Sequence, residues 1–250
     1  MSATPTPTGP HIGCAGWSLA RAVQPAFPRD GSHLQRYAAV FSAVEINSAF
    51  YRPHLPATYA RWRDSVPESF RFSVKLPKAI THERRLRNAE QALEKFLGEA
   101  GHLGPKLGCL LLQLPPSLAF DAGSVAAFLA CLRGLTAVPV ACEPRHPSWF
   151  GTAAADMLAR FGLAYVDADP PVAALPPLPA ALCYLRLHGS PVMYRSAYPE
   201  ARLHRVAQTL IDARNAGQSA WCVFDNTADG AAVPDALTLL GILGYPGSIF

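Results

Sequence analysis

Charge is scarce in this chain: 16% of its 250 residues are Asp, Glu, Lys or Arg, and the net charge is only +4. So slight a basic balance excludes a chromatin-type polyanion binder. Half of the residues are apolar, which excludes a disordered, self-solvating chain and leaves material for a sizeable core. No apolar run approaches the roughly 18 residues that a membrane span needs, and the CLLLQL stretch is interrupted at Gln113. The 18 glycines and 24 prolines keep no triplet period, so nothing fibrous is encoded. MSATPTPTGP at the N-terminus lacks the basic and apolar regions of a secretory signal. Residues 1–10 are therefore expected to be a disordered tail, residues 11–250 one domain, and the protein cytoplasmic, with no membrane partner. Cys14, Cys109, Cys131, Cys142, Cys183 and Cys222 form no C-x-x-C pair, and all but Cys131 lie in short apolar runs. They read as buried hydrophobes rather than ligands.

What is present alternates in type. Apolar runs of strand length occur at Ile12–Gly16, Ala43–Asn47, Phe70–Lys75, Gly108–Leu114, Val138–Glu143, Leu163–Asp169, Leu182–His188 and Ala220–Asn226. Helix-period stripes separate most of them: Leu34, Tyr37, Ala38, Phe41; Leu86, Ala89, Leu93, Phe96, Leu97; Val125, Phe128, Leu129, Leu132; and Met157, Leu158, Phe161. Eight such alternations in 250 residues match an α/β, TIM-type (β/α)8 barrel. An open doubly wound sheet is the competitor, but no Gly-rich dinucleotide fingerprint follows any strand. Between the sixth and seventh strands stand only Pro170–Ala181, twelve residues with five prolines. That is too short and too proline-rich for a crossover helix with its two loops, so the sixth helix is expected to be missing or reduced to a turn.

Polar residues gather at the C-terminal ends of these strands, where barrel active sites lie, while the starts (Ala43, Leu163, Leu182, Ala220) are apolar. With side chains alternating along a strand, Glu45 shares the inward phase with Asn47, Lys75 with Ser73, Gln113 with Leu111, and Arg186 with Tyr184 and His188. Glu143 ends the fifth strand with Arg145 and His146 just beyond; Asp169, in phase with Asp167, ends the sixth, and Asp225-Asn226 the eighth.

The stretches GCAGWS (13–18), VEINSAFYR (44–52), FSVKLPKAITH (72–82), KLGCLLLQLPPS (106–117), EPRHPSW (143–149), YLRLHG (184–189) and VFDNTADGAA (223–232) resemble the YecE-like family, also called domain of unknown function 72. The resemblance implies a TIM-type barrel and characteristic polar positions at Glu45, Asn47, Tyr51, Lys75, His82, Gln113, Glu143, Arg145, His146, Arg186, His188 and Asn226. It implies no activity. The chain departs from the family at Val23–Pro28 and at Asp225, where an amide is frequent.

Several roles follow from residue type. Glu143, with His188 or His146, is a candidate acid/base pair if its neighbours tune it toward neutral pH; Glu143→Gln is then expected to fold with nearly unchanged melting temperature and lose activity. Lys75 is open to three readings: a structural pair with Glu45, a substrate-anion site, or a nucleophilic amine. Lys75, Arg145 and Arg186, with Glu45, Asn47, Tyr51, His82, Gln113 and Asn226, are expected to bind a small anionic or polar ligand. Tyr51, Trp149 and Tyr194 are candidate walls. Glu143, Asp169 and His188 form a candidate set for a divalent metal, without any H-E-x-x-H spacing. Residues Arg52 to Arg87 hold nine basic residues against three acidic ones, which opens an alternative function in nucleic-acid binding or repair. The first reading is an enzyme, with hydrolase, lyase and isomerase chemistry all open.

Overall fold

The apolar runs become eight short strands in the computed structural model, which describes residues 9–245. Residues 1–8 of the expected tail and the last five of the expected domain lie outside the described residues. The strands are β1 (His11–Cys14), β2 (Ala43–Ile46), β3 (Arg71–Lys75), β4 (Leu107–Gln113), β5 (Val140–Glu143), β6 (Leu163–Asp169), β7 (Leu182–Leu187) and β8 (Ser219–Phe224). Among the described residues seven α-helices accompany them, the first six between strands and the last after β8: α1 (His33–Ala38), α2 (Pro56–Asp64), α3 (Glu90–Ala100), α4 (Ala122–Leu135), α5 (Thr152–Arg160), α6 (Glu200–Asn215) and α7 (Ala232–Ile242). Each expected strand is present, within about two residues at either end, the margin set by hydrogen-bond assignment.

All pairings are parallel, in the order β1-β8-β7-β6-β5-β4-β3-β2. The ring is nearly closed. β1 and β2 meet through one parallel bridge from Ala15 to Glu45, with Gly16 N–H donating to Glu45 O at 3.0 Å. Gly13 permits this approach, since a Cβ there would stand 1.8 Å from Ala43 O. No helix follows β6; Pro170–Ala181 crosses as an extended loop. Its five prolines remove donors and clash with helical carbonyls. A cavity of about 350 Å³ lies beneath this loop, lined by Glu143, Phe150, Val166, Ala168 and Pro171.

Strand alternation divides the apolar residues. Ala43, Cys109, Leu111, Ala141, Ala164, Val166, Leu182, Tyr184, Trp221 and Val223 fill the barrel; Val44, Phe72, Leu110, Cys142, Leu185 and Phe224 pack outward with the helices. At the N-terminal end Trp221 stacks on Tyr184 (5.8 Å) and against His11 (4.5 Å). Burial, aided by Arg71, lowers His11 to about 4, so this plug is neutral there at physiological pH. Burial pushes the Cys14 and Cys109 thiols up to about 12, which makes them inert packing groups, as their sequence setting suggests.

One stripe overreached. The period from Leu86 predicts helix, but α3 begins at Glu90, and Arg85, Leu86 and Asn88 adopt left-handed φ of 53°, 68° and 48°. Leu86 is buried nonetheless, because a loop side chain can enter the core in phase with a helix it does not belong to.

Candidate functional site at the barrel mouth

Above the apolar layers the inward phase turns polar. Glu45, Lys75, Glu143, Arg186, His188 and Asp225 are all buried and meet at the C-terminal end. Arg186, 2% exposed, is the hub. Its Nε and Nη2 donate to the two oxygens of Glu45 at 3.0 and 2.8 Å, its Nη1 to Glu143 Oε2 at 3.2 Å, and Nη2 lies 3.1 Å from Asp225 Oδ2. Burial alone would lower its affinity for the proton; Glu45, Glu143 and Asp225 outweigh that and hold it well above the ordinary arginine range. Tyr184 extends the network downward, its hydroxyl donating to Glu45 Oε2 at 3.2 Å and shared with Ser73 Oγ at 2.9 Å.

His188 is fixed at both nitrogens: Nδ1 is 3.0 Å from Asp225 Oδ2 and Nε2 is 3.0 Å from Glu143 Oε1. Tyr194 covers its face edge-on at 5.6 Å. Arg145 closes the group from the rim, in contact with Glu143 and His188 and 12% exposed. Burial would raise the Glu143 carboxyl, but Arg186, His188 and Arg145 prevail and hold it far below the usual carboxylate range. The expected tuning toward neutrality is therefore reversed. Two guanidiniums and an imidazole on one carboxylate favour its ionised form, the form that holds these donors in place.

Lys75 does not pair with Glu45, the partner its sequence position suggests. Glu45 is occupied by Arg186, and among the described residues no carboxylate oxygen lies within ion-pair reach of Lys75 Nζ. The ammonium stands 4.0 Å over the centre of the Phe50 ring. Burial first, then Arg186, lowers its affinity for the proton, against the pull of Glu45, Asp225 and Glu143. The ring face favours the charged form, by about 2 kcal/mol or more at a desolvated site, and so opposes the effect of burial. His82 meets Phe50 in a T-shaped contact at 4.9 Å, with Nδ1 2.8 Å from Thr81 Oγ1; burial and Lys75 lower it too.

Other expected positions fall elsewhere. Asn226 turns out of the barrel, its Nδ2 donating to Asp235 Oδ2 at 2.7 Å and Ser196 O at 3.0 Å; the inward place on that strand is Asp225. Asp169 also faces outward, because Ala164 and Val166 hold the inward phase of β6, and it pairs with Arg202 at 2.9 Å. The metal set of Glu143, Asp169 and His188 therefore does not converge, and no group of three His, Cys, Asp or Glu among the described residues is placed to hold a metal. His146 caps the turn at Pro147–Phe150 through Ser148 instead of entering the site. Asn47 lies past the end of β2 in helical geometry (φ −80°, ψ −22°), where strand phase no longer applies; its buried Oδ1 accepts no hydrogen bond. Gln113 pairs in register with Glu143 and donates to Leu114 O at 3.1 Å. Tyr51 is an exposed rim residue, 68% accessible, and Trp149 is buried in the outer layer, donating to Leu118 O. The nine basic residues of 52–87 share no single face: Arg71 starts β3, Lys75 ends it inside the barrel, and Arg84, Arg85 and Arg87 stand on the loop before α3.

The arrangement of charged strand ends can be set beside known proteins. The family described as "Protein of unknown function DUF72" matches residues 11–248. The chain belongs to the DUF72 family. It is 32% identical over 155 residues to the UPF0759 protein YecE of Escherichia coli K12, a match covering 61% of this chain and 54% of that protein. It is 30% identical over 146 residues to the UPF0759 protein YunF of Bacillus subtilis 168, covering 56% and 52%. The chain thus spans about half the length of the curated relatives it matches. A DUF72 protein of Thermotoga maritima has the same fold, with TM-score 0.79 at 24% identity over 94% of this chain and 99% of that one. A DUF72 protein of Enterococcus faecalis V583 matches with TM-score 0.78 at 21% identity, over 94% and 95%.

In this DUF72 barrel, sequence reasoning missed three contributors. Asp225 was legible in principle, since Trp221 and Val223 set the inward phase of β8. Tyr184 carried the signal of sharing phase with Arg186. Phe50 carried none, because only the tertiary fold brings its short turn over β3.

Proposed function

We propose that this chain is an enzyme that binds a small anionic substrate at the C-terminal mouth and transfers a proton there, with Lys75 as the reacting base. One observation carries the reading: in a cluster where Arg186, Glu45, Glu143, Asp225 and His188 are mutually paired, Lys75 Nζ alone has no carboxylate partner. A group whose proton affinity is lowered toward working pH is suited to general-base work. Arg145, at the rim, supports binding of a carboxylate or phosphate, since its guanidinium presents a planar fork. Glu143 and Asp225 orient Arg145, Arg186 and His188, so that these donors need not reorganise as charge develops. The six unpaired cysteines accord with a reducing compartment, and we place the protein in the cytoplasm. Among the described residues no helix is long and apolar enough to cross a membrane.

Calorimetric titration with small carboxylates and with inorganic phosphate tests the binding. Affinity that falls by about tenfold or more in both Lys75→Met and Arg145→Gln supports it. Binding that both variants retain removes the mouth from the reading. A nucleic-acid role would use the exposed basic residues of 52–87, of which Arg84, Arg85 and Arg87 share one loop; contact through that loop would give a log-log salt slope of about −3 for three phosphate contacts.

A further inference from the structure

Only four of the 22 basic residues are lysines: Lys75, Lys78, Lys95 and Lys106. Three are engaged. Lys78 pairs with Glu83 at 3.3 Å, Lys95 pairs with Glu99, and Lys106 donates to Arg63 O and Val66 O, each at 2.8 Å. Every cation that holds a carboxylate inside the barrel is an arginine, and the one lysine there holds none. A position that needed charge alone would be served at least as well by arginine, which stays charged and forks onto carboxylates. Lysine differs in that its amine can lose a proton and become a nucleophile.

We propose that Lys75 adds to the carbonyl carbon of a small anionic aldehyde, ketone or 2-oxo acid and forms an imine; this rests on the reading of the mouth as an anion-binding active site. The lone pair of the neutral amine forms the C–N bond while the C=O π pair moves to oxygen, giving a carbinolamine. That oxygen then leaves as water, taking both amine protons, and the C=N bond forms; no oxidant or reductant is consumed. Two surroundings that suit such an amine coincide here, burial and a neighbouring cation, Arg186. Once the imine is protonated its nitrogen carries a positive charge. Glu45, Asp225 and Glu143, the acids that attract the Lys75 ammonium, then stabilise that charge. Arg145, partly exposed at the rim, is the candidate for holding the anionic group of the same substrate.

The test uses the full chain. Treatment with formaldehyde and cyanoborohydride at neutral pH, followed by peptide mapping, ranks the four lysines as nucleophiles without knowledge of the substrate. Lys75 is expected to be methylated about tenfold faster than the exposed Lys78 and Lys95. Pyruvate with borohydride is expected to leave a reduced adduct on Lys75 that is absent from Lys75→Arg. Methylation of Lys75 no faster than Lys78 and Lys95 overturns the proposal. Lactate, which lacks the carbonyl, separates the two readings. Lactate or phosphate binding that depends on Lys75, with slow labelling, leaves the anion site standing and removes the imine. Fast labelling with no anion binding keeps the nucleophile and removes the anionic substrate.

Discussion

Replacing Glu143 by Gln keeps the shape of the side chain and removes one charge from the centre of the cluster. The carboxylate is 1% exposed and serves Arg186 at 3.2 Å, His188 at 3.0 Å and Arg145 in direct contact. An amide offers one acceptor oxygen where two oxygens now accept, and turns an NH2 toward N–H donors. Removing one partner of a buried pair costs about 3–5 kcal/mol. Arg186 keeps Glu45 and Asp225, so the low end, about 3 kcal/mol, is expected here. At about 2–4 °C per kcal/mol for a chain of this size, the melting temperature should fall by about 6–12 °C. This departs from the expectation from the sequence, in which Glu143→Gln folds with a nearly unchanged midpoint and loses activity. The pH dependence has a definite sign. The folded carboxyl is held below its ordinary value of 4.5, so its stabilisation is fully present above that value and is lost as pH falls below it. Wild type and variant should therefore converge under acid, by up to about 1.4 kcal/mol per pH unit. Adding Arg145→Met should recover part of the loss by removing the cation left without its carboxylate. Thermal and urea unfolding between pH 3 and pH 8 read both effects. A midpoint shift under about 2 °C at pH 7, or a gap that does not narrow in acid, would refute the assignment of Glu143 as the shared counter-charge.

Lys75→Met should unfold at higher urea, by about 1 kcal/mol at pH 7, because a buried amine without a carboxylate partner is replaced by an apolar chain. The gain should shrink as pH rises to the ordinary lysine value of 10.5, since the folded amine holds its proton less tightly than the unfolded one; a gap that widens with pH contradicts this. Gly13→Ala should destabilise by about 3 kcal/mol or more, since a Cβ 1.8 Å from Ala43 O must push β1 from β2. An unchanged midpoint there would mean that the β1–β2 closure is not tight. Asp225→Asn should cost about 2 kcal/mol or more and alter anion binding, whereas Asp169→Asn, losing a part-exposed pair with Arg202, should cost about 1 kcal/mol or less and leave binding intact. Equal effects from the two would mean that β6 and β8 do not have the phases described. Asn226→Ala should lower stability by about 1–2 kcal/mol through the lost bond to Asp235 without changing affinity at the mouth; a loss of affinity alone would return Asn226 to the site.

Local chemistry by itself determined where the strands lie and which of their residues share a phase. Apolar runs bounded by turn residues must be buried, and alternate side chains must take opposite faces. Glu45, Lys75, Glu143, Arg186 and His188 could therefore be assigned to one mouth from the sequence, as could the missing helix from five prolines in twelve residues. That reasoning stops where the strand stops. Asn47 left the phase because its backbone turns into helical geometry, His146 lies beyond β5 and caps the next turn, and Asp169 and Asn226 lie on the outer phase, opposite Ala168 and Asp225. Only the tertiary structure decided who pairs with whom. Arg186 meets Glu45 from 141 residues away, across the barrel from β7 to β2, a contact set by the stagger and curvature of the closed sheet. Once that pair forms, Lys75 is left with Phe50, and Glu143, between Arg186, Arg145 and His188, is kept ionised. Phase is a property of one strand; pairing across a barrel depends on all eight.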